Sequence, residues 1–252
     1  MLRFIFQLLF LPLRLLYYFY LRLRQTFQKS RSTLHWEFPS YFESANKSYI
    51  VRKIQGKVSS VNRLEFLLSL RSLRNNPRIK KIKFVIPPLS WSLGDIWEVK
   101  EELKILREQN GIHISGFAKE GGLGTLLLLS VCDEIYFNPE AEFQIQLPSA
   151  EPAFYGAFLK LWGVEVEAYA SGPFKSFAES FTRTNFSKEA RTNIESLILD
   201  LQNKILDALT EKRNIKKEKF YLPIQTSKSL IEMGFGNDVM IEETFFSKDE
   251  KA

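Results

Sequence analysis

The sequence predicts an α/β domain built on a largely parallel sheet, and three observations predict it. Strand-like and helix-like stretches alternate from Ser48 to the C-terminal region, the order that βαβ units produce. The stretch IKKIKFVIP alternates polar and apolar residues and then turns wholly apolar, as a strand entering a sheet does. Apolar residues make up 45% of the 252, enough for one domain with a substantial core.

In order, SYIVRKIQGKV reads as a strand closing at Gly56. VNRLEFLLSLRSLRNN then places Leu64, Leu67, Leu68, Leu70 and Leu73 at helical spacing, and Asn75-Asn76-Pro77 stops it. After the IKKIKFVIP strand and Pro87-Pro88, Asp95 is placed to cap a helix with Ile96, Val99, Leu103 and Leu106 on one face. GIHISGFA is the next strand, LGTLLLLSV an apolar helix and CDEIYFNP a short strand. AFYGAFLKLWGV reads as a helix ending at Gly163, and EVEAYAS as a strand. A long helix is expected from about Lys188 to Arg213, capped by Ser187, with Ile194, Leu197, Ile198, Leu201 and Ile205 inward.

Residues 1–24, MLRFIFQLLFLPLRLLYYFYLRLR, form a separate unit. Phe4–Leu21 approaches the about 20 residues of a bilayer crossing. Gln7 and Arg14 interrupt the run, and Pro12 would kink it. Arg3, Gln7 and Arg14 fall within about 40° on a helical wheel, a narrow polar stripe that suits a helix lying in the membrane interface. Tyr17, Tyr18 and Tyr20 are interface residues. Arg22, Arg24, Lys29 and Arg31 follow, so a spanning segment would leave the main domain on the cytoplasmic side. Residues 25–47 read as a polar linker.

Composition excludes several functions. One cysteine, Cys132, forbids an internal disulfide, and with only His35 and His113 a Cys/Cys/His metal site is ruled out by counting. Cys132 lies in an apolar run and reads as a buried structural thiol. The net charge of +6 is spread along the chain, with an excess near the N-terminus. That pattern fits a membrane surface better than nucleic acid, for which no motif is present.

Three stretches carry a resemblance: LLSVCDEIYFNPEA, LKLWGVEVEAYASGPFKSFAESFTRTNFSKEAR and TSKSLIEMGFGNDV. From about Tyr49 to Val239 the chain resembles the protease IV, or signal peptide peptidase A (SppA), family of serine peptidases, specifically its lysine-bearing N-terminal half. The resemblance implies a Clp protease/crotonase-like spiral of ββα units, here following an N-terminal membrane-associated helix. It implies peptide-bond hydrolysis by a serine–lysine dyad without a cofactor or metal, on signal-peptide-type substrates. Lys175 aligns with the general base, which must shed its proton near neutral pH from a reference pKa of about 10.4. Gly172, Pro173, Phe174 and Phe177 supply apolar surroundings that favour the neutral amine.

The pattern is broken at two places. The nucleophile position falls on Leu123, which cannot attack a carbonyl; Thr125 lies two places on, about half a turn round the helix. Paired oxyanion glycines are expected after the strand ending at Ile86, yet the chain reads PPLSWSLGD, and proline has no N–H. Ser130 matches a family serine that packs rather than reacts.

The sequence-level expectation is therefore a four-part chain: membrane segment 1–24, linker 25–47, peptidase-like domain 48–245 and polar tail 246–252. It would be a membrane-associated subunit that lends Lys175 to a serine-bearing related subunit in a homo- or hetero-oligomer acting on peptide. The alternative is an inactive family member that acts as a scaffold at the membrane.

Overall fold

A computed structural model of the chain describes residues 32–42, 61–167 and 178–247. The expected anchor (1–24), the expected strand at 49–56 and Lys175 lie outside these residues.

The described elements are β1 (Thr33–Glu37), α1 (Arg63–Ser72), β2 (Lys81–Val85), α2 (Leu93–Glu108), β3 (His113–Ala118), β4 (Gly121–Gly122), α3 (Leu123–Leu129), β5 (Glu134–Phe137) and β6 (Glu142–Gln144). They continue with α4 (Gly156–Leu161), α5 (Glu179–Thr182), α6 (Lys188–Thr210), β7 (Ile224–Thr226), α7 (Ser227–Glu232), β8 (Asp238–Val239) and α8 (Glu242–Ser247). The main sheet has the order β1-β2-β3-β5-β8, and every pairing in it is parallel. A second sheet, β4-β6-β7, pairs β4 with β6 in parallel and β6 with β7 antiparallel. A strand of the main sheet, a short strand of the second sheet and a helix recur twice, as β3-β4-α3 and β5-β6-α4. These are the ββα units that the resemblance implied.

Side-chain alternation sets the two faces of the main sheet. Ile82, Phe84, Ile114, Ile135 and Phe137 join one cluster with Phe66, Leu67 and Leu70 of α1, Leu103 and Leu106 of α2, and Leu126–Leu129 of α3. Val85, Phe117 and Tyr136 face the other way, onto Phe245 of α8. Lys83 belongs to this second face and is 4% exposed. Its ammonium donates to the Phe245 carbonyl at 2.6 Å and lies 5.1 Å from the Phe245 ring centre, so the charge keeps both a hydrogen bond and a cation–π contact.

Several expectations are corrected. The segment read as a linker contains β1, an edge strand in register with β2 from Thr33–Lys81 to Glu37–Val85, and Phe38 after it is buried. The cap of α2 is Ser92, not Asp95. Ser92 Oγ accepts from the Asp95 N–H at 3.2 Å and donates to Asp95 Oδ2 at 2.6 Å, a variant of the capping box in which the hydroxyl rather than the cap N–H meets the carboxylate. Residues 153–155 precede the helix that was expected to include them, and Glu165–Glu167 are not in a strand. Ser187 does cap α6, accepting from the Ala190 N–H at 3.1 Å, but the helix ends at Thr210 and Leu197 is 67% exposed. The last helix, α8, runs to Ser247, two residues past the expected end of the domain.

Close approach of α3 to β3 requires Gly116. A Cβ there would lie 2.5 Å from Leu129 Cδ2 and 2.8 Å from Cys132 Sγ. Gly116→Ala is expected to destabilise the fold by about 1–3 kcal/mol through overpacking. Gly94→Ala, in the first turn of α2 with only Ser92 Oγ nearby at 3.8 Å, is expected to stabilise it by about 0.5–1 kcal/mol. Urea midpoints of the two variants check both signs.

Candidate active site

The expected site lies where the C-terminal ends of β2 and β3 meet the start of α3. Leu123 opens α3 and packs, partly buried, against the main core. The backbone approaches its neighbours closely here. A Cβ on Gly121 would meet Thr125 Oγ1 at 2.5 Å, and one on Gly124 would meet Ile96 Cδ1 at 2.6 Å and Leu89 Cβ at 3.9 Å. The loop after β2 therefore sits directly on the first turn of α3.

That loop offers few donors for an oxyanion. The Ile86 N–H is given to the Phe117 carbonyl at 2.9 Å and the Ser90 N–H to the Ser40 carbonyl at 2.8 Å; Pro87 and Pro88 have none. Trp91 fills the space behind, stacked on Phe42 at 4.4 Å and edge-on to Phe66 at 5.6 Å. Thr125 is buried, and its hydroxyl donates to the Pro87 carbonyl at 3.2 Å. It braces the loop against the helix. Ser130 is likewise buried, donating to the Leu127 carbonyl at 2.7 Å.

Charge gathers at the other end of α3. Arg107 Nη1 donates to the Val131 carbonyl at 2.6 Å, Lys212 Nζ to Cys132 at 3.1 Å, and Arg213 to Ser130 at 3.1 Å and Cys132 at 3.2 Å. Three cations thus hold the Ser130, Val131 and Cys132 carbonyls at and just past the helix end, the favourable sign for its dipole. Burial pushes the Cys132 thiol up to about 12, against the pull of Arg213 and Lys212. Asp133 moves the other way. Burial opposes its charge, but the Ile114 N–H at 2.9 Å and the Lys212 ammonium at 2.5 Å outweigh it and hold the carboxyl below its ordinary value. Sequence reading missed this cluster because its members lie some eighty residues apart, as the Lys212–Asp133 pair does. Lys100 is also buried, and burial lowers its pKa, yet its ammonium bridges α2 to the Ala208 carbonyl at 3.3 Å and Glu211 at 3.6 Å. Its role is to join two helices.

The chain is similar to peptidases of the protease IV/SppA group. Residues 114–223, from β3 to the residue before β7, match the model of Peptidase family S49. The chain is 24% identical over 195 residues to Protease 4 of Haemophilus influenzae, covering 74% of this chain and 29% of that protein. It is 24% identical over 180 residues to the chloroplastic serine protease SPPA of Arabidopsis thaliana, covering 68% and 26%. The chain thus spans less than a third of the length of these relatives. Among solved structures it is similar to a membrane-bound stomatin-specific protease, at 7% identity over 86% of this chain and 83% of that one, with a TM-score of 0.48.

Two outcomes check the site. Leu123→Ser on its own is expected to gain no labelling by serine-directed phosphonates, because Pro87 and Pro88 have no N–H and those of Ile86 and Ser90 are already bonded. Cys132 is expected to resist maleimide in the native protein across neutral pH and to label only in denaturant, since burial disfavours its thiolate.

Proposed function

We propose that this chain is a membrane-associated peptidase subunit that supplies Lys175 as general base to a serine on a related subunit. One observation carries the reading: the nucleophile position holds Leu123 while the neighbouring hydroxyl, Thr125, is bound to Pro87. A chain of peptidase ancestry with a lysine at the base position and no nucleophile can act only in a composite site. Residues 1–24 would hold it on the membrane. The substrate would be a peptide, signal-peptide-like by analogy with the family.

The surface around α4 to α6 supports a protein partner. From residue 146 to residue 204, Ala190 alone is buried among the described residues. The same stretch exposes Leu161 (86%), Trp162 (74%), Phe158 and Leu199. Tyr155 stacks on Phe181 and Phe154 lies edge-on to Phe186, so the stretch has local order without a core of its own. Contiguous apolar surface of this kind calls for a covering partner. A serine-bearing relative docked there would sit next to the segment that holds Lys175.

The test is a complex purified from membranes and shown to contain this chain. Lys175→Ala is expected to abolish its peptidase activity while leaving assembly intact. Lys175→Arg is expected to be as inactive, because a guanidinium stays protonated where a neutral amine is needed. A base with a depressed pKa also predicts activity that falls as pH drops through that value, as the amine takes up its proton. Full activity in both variants would leave the scaffold as the standing function.

A further inference from the structure

We propose that the edge of the main sheet formed by the N-terminal ends of β1, β2 and β3 is a docking face for a bilayer containing anionic phospholipid. The inference rests on the reading of residues 1–24 as an apolar anchor.

Chain length places the edge. Ser32 enters the fold at the start of β1, and its carbonyl accepts from the Lys80 and Lys81 N–H groups at 2.9 and 3.0 Å. The Lys80 carbonyl in turn accepts from the His113 N–H at 2.9 Å, so the starts of all three strands are tied together. Residues 25–31 are seven in number and reach at most about 25 Å even when fully extended. A domain of about 200 residues is roughly 40 Å across. The reach of these residues is therefore less than the domain's width, which keeps the Ser32 edge close to the anchor and favours it as the face toward the bilayer.

Charge fits that placement. Arg78, Lys80 and Lys81 are exposed around the turn into β2, and Arg24, Lys29 and Arg31 precede Ser32 in the sequence. The acids at this end are already taken up. Glu108 pairs with Arg107 at 2.5 Å and Asp133 with Lys212 at 2.5 Å; Glu102 pairs with Arg71 at 2.8 Å and also with Arg74. Glu134 accepts from Ser115 at 3.2 Å and lies 3.7 Å from His113 Nε2. Arg78 and Lys80 have no ion-pair partner among the described residues, so their charge is available to phosphate. Cationic side chains near an anionic leaflet each strengthen binding about fivefold. The candidate site lies past the other ends of β2 and β3, so a bilayer on this edge leaves that site facing away from lipid.

Full-length protein is mixed with phosphatidylcholine vesicles and with vesicles that also contain phosphatidylserine, and bound protein is read by flotation. Phosphatidylserine is expected to tighten binding, and the gain is expected to vanish at high salt. Arg78→Glu/Lys80→Glu is expected to cut the gain by ~10-fold or more, with binding to phosphatidylcholine unchanged. The charge-matched control Lys160→Glu/Lys228→Glu is expected to keep it. An unchanged gain in the edge variant, an equal loss in the control, or binding indifferent to phosphatidylserine would overturn the inference. Edge-dependent retention of single-stranded RNA with no phosphatidylserine gain would also overturn it, marking the edge as a nucleic-acid surface. Deleting residues 1–24 addresses the anchor separately: undiminished binding to phosphatidylcholine would remove the anchor and leave the outcome at the edge readable.

Discussion

The structure depends on one short helix held under close contact on every side. Leu126, Leu127, Leu128 and Leu129 of α3 are fully buried, and glycines at 116, 121 and 124 let β3, the helix's own first turn and α2 come closer than any Cβ would allow. A wholly apolar helix gains from being surrounded, but its end carbonyls still need donors. The Ser130, Val131 and Cys132 N–H groups close back onto the Leu126, Leu128 and Leu129 carbonyls, and Arg213 and Lys212 from the segment after α6, with Arg107 from α2, take the Ser130, Cys132 and Val131 carbonyls that follow. Those bonds tie the C-terminal third of the chain to its centre. They lie just beyond the end of α6 that enters the core through Ile205, Leu206 and Leu209; toward its start only Ala190 is buried.

Because α3 is fixed so firmly, its first residue has one possible setting. By the resemblance drawn from the sequence, that setting is where a nucleophile's hydroxyl would be expected. Here it carries Leu123 into apolar contact, and Thr125 spends its hydroxyl on the Pro87 carbonyl. The replacement is consistent in physical terms. A reactive turn keeps N–H groups and a hydroxyl unsatisfied until substrate arrives, which costs stability. Leucine removes the hydroxyl and two prolines remove two N–H groups, although the Trp91 indole N–H behind them is buried without a partner among the described residues.

Much of this was legible in the sequence, and what was missed has physical causes. Helices α1, α2 and α6 show their apolar spacing, and Ser187 is placed to cap α6. Gly121–Gly122, Glu142–Gln144 and Ile224–Thr226 were not legible as strands, because two or three residues carry no readable period. β1 was hidden in a polar stretch: the alternation TLHWE on an edge strand buries little, and its partner β2 lies over forty residues away. Asp95 drew attention from Ser92 because both residues of a capping box suit a cap, and only the hydrogen-bond directions separate them. Leu197 looked inward by spacing, yet spacing cannot say whether a core extends that far along the helix. At the candidate site the sequence supplied the decisive fact, Leu123, but not the commitment of the Ile86 and Ser90 N–H groups, which is a matter of partners in space.

The molecule is sealed where chemistry is expected and bare where contact is expected. At the start of α3 the Ile86 and Ser90 N–H groups and the Thr125 hydroxyl have internal partners, and Leu123 adds apolar surface. Along α4, α5 and the first half of α6 the opposite holds, with Leu161 and Trp162 in solvent and no core beneath them. A domain selected only for its own stability would cover such side chains or make them polar. Their exposure makes sense if the isolated chain is not the working unit. The sealed crevice then reads as the mark of a subunit relieved of the nucleophile's task, and the bare arm as the surface through which it joins the subunit that performs it.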